Sequence, residues 1–73
     1  VLVVHHQQDG CSYCAYSEIP NLMAKLTHTP RSHLITATGG KSQGDACAAF
    51  AHHGFNGLEA DVVGQMADWI LAP

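Results

Sequence analysis

The chain has 73 residues, a net charge of −3 with histidine neutral, 47% apolar residues and 12% charged ones. Three Lys/Arg residues are too few for a phosphate-binding stripe, which argues against a nucleic-acid partner. No apolar run reaches the roughly 18 residues a membrane span requires, and the short apolar start has no basic region before it, so neither a membrane partner nor a signal peptide is expected.

The length allows one small domain with a marginal core. The charge content is about half that of a typical soluble domain, so the composition looks like the interior of a larger protein. The chain begins with Val1 rather than Met, which we read as processing or excision.

Residues 1–6, VLVVHH, form a continuous β-branched and Leu run, the pattern of a strand buried on both faces in a parallel sheet. QQDGCSYC follows as a loop, with Asp9-Gly10 as its turn signal. A helix is expected from about Ser17 to Thr27. Ile19, Leu22, Met23 and Leu26 fall on one stripe, Ser17 is a candidate N-cap, and Pro20 lies in the tolerant first turn. Pro30 ends that segment. SHLITATGG (32–40) reads as a second strand of about six residues. KSQGDACAAFAHHGFNG is a long connection with little periodicity, and such loops are often functional. A last helix is expected from Asn56 as N-cap, with Glu59 three residues on and Val62, Met66, Trp69 and Ile70 as the buried stripe. The first three elements make a βαβ unit, which should cross over right-handed. Two parallel strands are a poor sheet alone, so further strands and helices are expected around them.

Three constellations could carry chemistry. Cys11-Ser12-Tyr13-Cys14 has C-x-x-C spacing between a strand and a helix, the placement of a thiol redox motif. No later proline is placed for the strand hairpin of that fold, which argues against this reading; the plainer one is that Cys14 is a small buried apolar residue. Cys11 and Cys14 could also hold zinc with His5, His6, His52 or His53. The adjacent histidines lack ligand spacing, and a histidine in an apolar strand, such as His5 or His33, is more often a hydrogen-bonded structural residue. Third, Asp9 follows one strand and His53 lies in the loop after the next. Parallel strands send both loops to the same carboxyl edge, where ligands bind. There a carboxylate can fix an imidazole tautomer and stabilise its cation. Gly54 would let the backbone bend to bring the ring in.

Taken in order, VLVVHHQQDGC and GGKSQGDACAAFAHHGFNGLEADVVGQMADWI resemble the C-terminal part of an α/β-hydrolase, of the bacterial dienelactone-hydrolase or esterase-like kind. The likeness spans essentially the whole chain. Its most specific points are Asp9 with Cys11, Gly44-Asp45-x-Cys47, His53-Gly54-Phe55 and Glu59. It implies an α/β fold: a β-α-β-loop-α portion of a doubly wound parallel sheet, an incomplete hydrolase fold in a single partial domain over residues 1–73. It implies Asp9 as the triad acid and His53, rather than His52, as the base, in the family order of nucleophile, acid, histidine. Cys11 and Cys47 look like a disulfide pair tying the acid loop to the histidine loop, which would suit a periplasmic or secreted protein. Cys14 would then be the free thiol, with Cys14–Cys47 the other pairing.

The chain is expected to lack the family's nucleophile elbow, a G-x-S-x-G serine on a strand-to-helix turn; Ser12, Ser17, Ser32 and Ser42 are read as lacking that context. The expected function is therefore the acid and histidine segment of a serine-type hydrolase acting on ester or similar acyl bonds, inactive by itself. The expected partner is the N-terminal remainder of the domain or another chain, with an ester-like small molecule as substrate and no metal or organic cofactor. The competing classes are a thiol redox or zinc module, and a non-catalytic fragment that pairs with another chain or with itself through its sheet edge.

Overall fold

A computed structural model describes residues 1–72 and gives a mixed α/β arrangement. Strand β1 (Leu2–His6) and strand β2 (His33–Ala37) pair in parallel, Leu2 opposite His33 and His6 opposite Ala37. They form a two-stranded sheet. Both strands end level, so the chain leaves them at one edge. A short helix α1 (Ile19–Ala24) lies between the strands in sequence, and a longer helix α2 (Glu59–Leu71) follows the second connection. The expected order of strand, helix, strand, long loop and helix is the observed one. None of the described helices is long and apolar enough to cross a membrane.

The first helical segment is shorter than its apolar stripe implies. Tyr16–Glu18 forms a 3₁₀ turn and the α-helix begins only at Ile19, with Glu18 rather than Ser17 at its N-cap. Pro20 sits in the first turn, where its missing N–H leaves no bond unmade. Ile19 is buried, Met23 and Leu26 are half-buried, and Leu22 faces outward. The turn is anchored instead by a polar contact, Tyr16 Oη to Thr36 Oγ1 on β2 at 2.7 Å.

The last helix also starts later than expected. Asn56 is not its cap, because the Asn56 side-chain amide donates to the Phe50 carbonyl at 3.0 Å. Gly57 then takes a left-handed conformation at φ 82, which glycine adopts without strain and which interrupts the helix before it starts. Leu58 occupies the N-cap, and Glu59 reaches back so that its Oε1 accepts the Leu58 N–H. Of the expected stripe, Val62 is buried, Met66 and Trp69 are half-buried, and Ile70 is 62% exposed. Trp69 is covered in part by Arg31, whose guanidinium lies 3.9 Å from the ring centroid and also donates to the Trp69 carbonyl.

The buried centre is small: Ile35 and Ala37 from β2, Ile19, Val62, Ala51, Cys11 and the imidazole of His6. β1 is half-buried along Leu2–His5, although its composition suits burial on both faces. His6 is only 1% exposed and its ring is fully engaged. Nδ1 accepts the Gln8 N–H at 2.9 Å, so the proton sits on Nε2, which donates to the Gly39 carbonyl at 2.8 Å. This residue joins the ends of both strands.

Candidate functional site at the carboxyl edge of the sheet

Asp9 lies three residues beyond β1 and His53 in the connection beyond β2, and the level strand ends bring them together. His53 Nδ1 is 2.8 Å from Asp9 Oδ2 across 44 positions of sequence. The Asp9 side chain is only 3% exposed, whereas that of His53 is 32% exposed. Burial raises the Asp9 pKa, but a backbone hydrogen bond from Cys11, the hydrogen bond from His53 and the charges of His53 and His5 outweigh it. The carboxyl is held below its ordinary value. An ionised Asp9 can only accept, so Nδ1 of His53 carries a proton, and in the neutral ring the lone pair lies on Nε2.

Sequence reasoning gave His5 no part here. Its Nε2 lies 3.2 Å from the same Oδ2 and 2.7 Å from the Cys14 carbonyl. Both partners accept, so His5 Nε2 is a shared donor. Oδ2 thus faces two imidazoles, and Oδ1 accepts the Cys11 N–H at 2.9 Å. The i, i+4 spacing of His5 and Asp9 was the available signal, but it reads as contact only once β1 is known to end at His6.

Cys11 and Cys47 form a disulfide across 36 positions, joining the acid loop to the histidine loop; the alternative Cys14–Cys47 pairing is not the one present. The two cysteines are set by the same local device. Asp9 Oδ1 accepts the N–H of Cys11, and Asp45 Oδ1 accepts that of Cys47 at 2.8 Å, each an Asx turn over a D-x-C triplet. Cys14 is a half-buried free thiol. Sulfurs of Cys11 and Cys14 and a ring nitrogen of His53 lie within 4.8 Å of one another. With Cys11 held in the disulfide, only two donors of this group remain, fewer than the three or four protein ligands zinc takes. His5, His6 and His52 are outside this group.

The histidine loop is built from a 3₁₀ turn, His52–Gly54. Gly54 is not the bend expected of it. The left-handed residue is Phe55, at φ 60 and ψ 32. Gly54 instead allows close approach, since a Cβ there would lie 2.2 Å from the Ala49 carbonyl oxygen. His52 stacks on His6, ring centroids 4.2 Å apart, and among the described residues its buried Nδ1 has no hydrogen-bond partner. The two histidines of the pair are thus divided: one packs on the strand junction, the other meets Asp9.

One expectation about the nucleophile needs correction. Residues 40–44 read Gly-Lys-Ser-Gln-Gly, so the letters G-x-S-x-G are present around Ser42. The elbow is not. A nucleophile elbow is a tight turn from a strand directly into a helix, whereas Ser42 lies in an irregular stretch with no helical residue before the 3₁₀ turn at His52. Its Oγ accepts the His52 N–H at 3.4 Å, and among the described residues no hydrogen bond joins it to the His53 ring.

Compared with known proteins, the chain matches no family model, no curated protein and no solved structure.

Proposed function

We propose that this chain supplies the acid and the base of a serine-type hydrolase acting on ester or similar acyl bonds, with Asp9 orienting His53. The observation that carries this reading is the 2.8 Å contact between a buried, ionised carboxylate and Nδ1 of an imidazole that remains partly open to solvent. In such a pair Nε2 takes the proton of an attacking hydroxyl and returns it to the leaving group, while the carboxylate stabilises the imidazolium between the two steps. The order of the residues and their position beyond parallel strands agree with the resemblance to α/β-hydrolases. In this reading the two strands belong to a larger doubly wound sheet, completed by an N-terminal remainder or another chain. That completion would cover the half-buried β1 and the outward-facing Val63, Ile70 and Leu71. The nucleophile and the oxyanion hole come from the same source, and no metal or organic cofactor takes part. The disulfide fits an oxidising compartment such as a periplasm or the extracellular space.

The test is hydrolysis of a chromogenic short-chain ester by the 73-residue chain and by the complete polypeptide or complex in which it acts. The chain alone is expected to give no turnover that depends on His53. The complete enzyme is expected to turn over, to lose about 10⁴-fold in kcat on Asp9→Asn, as in other acid–histidine–serine sites, and to be unaffected by Ser42→Ala. A fluorophosphonate probe should label a serine outside residues 1–73. Turnover by the isolated chain that survives His53→Ala would sink the proposal, as would a complete protein with no serine or cysteine in reach of His53.

A further inference from the structure

The Cys14 thiol has no part in the proposed hydrolase chemistry, yet it lies beside a disulfide and an imidazole. Its sulfur is within 4.8 Å of Cys11 Sγ, one half of a disulfide, and of a ring nitrogen of His53. The main chain holds it there: the Cys14 N–H donates to the Cys11 carbonyl at 3.0 Å, closing a turn over residues 11–14. The Cys14 carbonyl accepts His5 Nε2, which fixes the other side of the residue. The far partner of the disulfide, Cys47, lies on an exposed residue of the histidine loop. A thiol, a disulfide sulfur and an imidazole, whose Nε2 can take a proton, together are the components of thiol–disulfide exchange.

We propose that Cys14 is the attacking thiol of an internal exchange at this disulfide. His53 accepts the Cys14 proton. The thiolate attacks Cys11 Sγ, the Cys11–Cys47 bond breaks, a Cys11–Cys14 bond forms, and the electron pair leaves on Cys47 Sγ, which takes up the proton. No oxidant or reductant is consumed, since one thiol and one disulfide give one thiol and one disulfide. The product moves the bridge into the C-x-x-C segment, unties the histidine loop from the acid loop, and presents a thiol at the exposed Cys47. The Cys47 thiol could then attack a small-molecule or protein disulfide, forming a mixed disulfide at Cys47 and releasing the other sulfur as a thiol.

The positions of the basic residues make the exchange easy to read. Trypsin cuts after Lys25, Arg31 and Lys41, so Cys11 and Cys14 fall in peptide 1–25 and Cys47 in peptide 42–73. A Cys11–Cys47 bridge links those peptides; a Cys11–Cys14 bridge leaves them separate. The oxidised protein is incubated with excess N-ethylmaleimide for increasing times, quenched in acid, and digested without reductant. The expected result is a growing population of separate peptides, with the label on Cys47 and an internal bridge in 1–25. His53→Ala should slow its appearance on the order of tenfold or more, as expected for loss of a general base. Cys14→Ser should leave the peptides linked and unlabelled, which reports on the thiol even if the His53 variant is poorly folded. Label confined to Cys14 at every time, or label on Cys11 with the peptides still linked, overturns the proposal. So does Cys47 labelling at an unchanged rate in a folded His53→Ala protein.

Discussion

Replacing Cys11 and Cys47 with serine tests what holds the carboxyl edge together. The bridge closes a loop of 36 positions in the unfolded chain. In the chain-entropy account such a loop restricts the denatured ensemble by about 4 kcal/mol at room temperature. A core limited to a handful of buried side chains in a domain this small supplies only about 3–5 kcal/mol of net stability. The two figures are of the same size, so the loss should remove most of the stability. For a domain of this length about 1 kcal/mol corresponds to roughly 4–8 °C in Tm, so the transition should fall by tens of degrees or vanish at 37 °C. Far-UV circular dichroism melts of the oxidised protein and the double serine variant measure this directly. A cooperative transition within about 5 °C of the parent would refute the reasoning, because the packed core would then be sufficient without the bridge.

Asp9→Asn should change the pH dependence of stability. The folded Asp9 pKa lies below the unfolded value of about 3.9, so its contribution is fully present above that value and is lost as pH falls through the folded one. The stability difference between parent and variant, from urea titrations, should shrink as pH falls from about 5 through about 4 and below; a difference that stays flat from pH 5 to pH 2 counts against it. His6→Ala should cost about 2–4 kcal/mol in the same titrations, since it opens a cavity and strands the Gln8 N–H and the Gly39 carbonyl; a cost under about 1 kcal/mol would show that the strand ends do not depend on it. Gly54→Ala should cost about 1–3 kcal/mol by overpacking against the Ala49 backbone, and the downfield Nδ1–H proton resonance of His53 should broaden or disappear. A parent-like spectrum and melt would mean that the 49–54 turn relaxes without moving the histidine.

The strands were legible because a β-branched run and its turn signals constrain one another, and their parallel pairing follows from the helix between them. Meeting of Asp9 and His53 follows in turn, since loops after parallel strands share an edge. The helix starts were less legible. Asn56 and Ser17 are good caps by residue type, but the side chain of Asn56 is engaged by Phe50 and Ser17 sits within a 3₁₀ turn, and such competition between local hydrogen bonds is settled by the surrounding chain. Gly54 was read for its torsional freedom when its use is lack of a side chain, a distinction that only the distance to Ala49 makes. The part of His5 was hidden because a strand histidine is ordinarily structural, and its i, i+4 spacing from Asp9 becomes a contact only where the strand stops at His6.

The two oxygens of Asp9 do separate work. Oδ1 closes the turn that aims Cys11 at Cys47, and Oδ2 holds His53. A single three-atom carboxylate therefore ties the disulfide-bearing turn to the histidine contact. Shifting it by the length of one methylene, as Asp9→Glu does, would spoil the two-residue turn and the histidine contact together. Any change that rearranges the bridge therefore acts on the same carboxylate that holds the histidine.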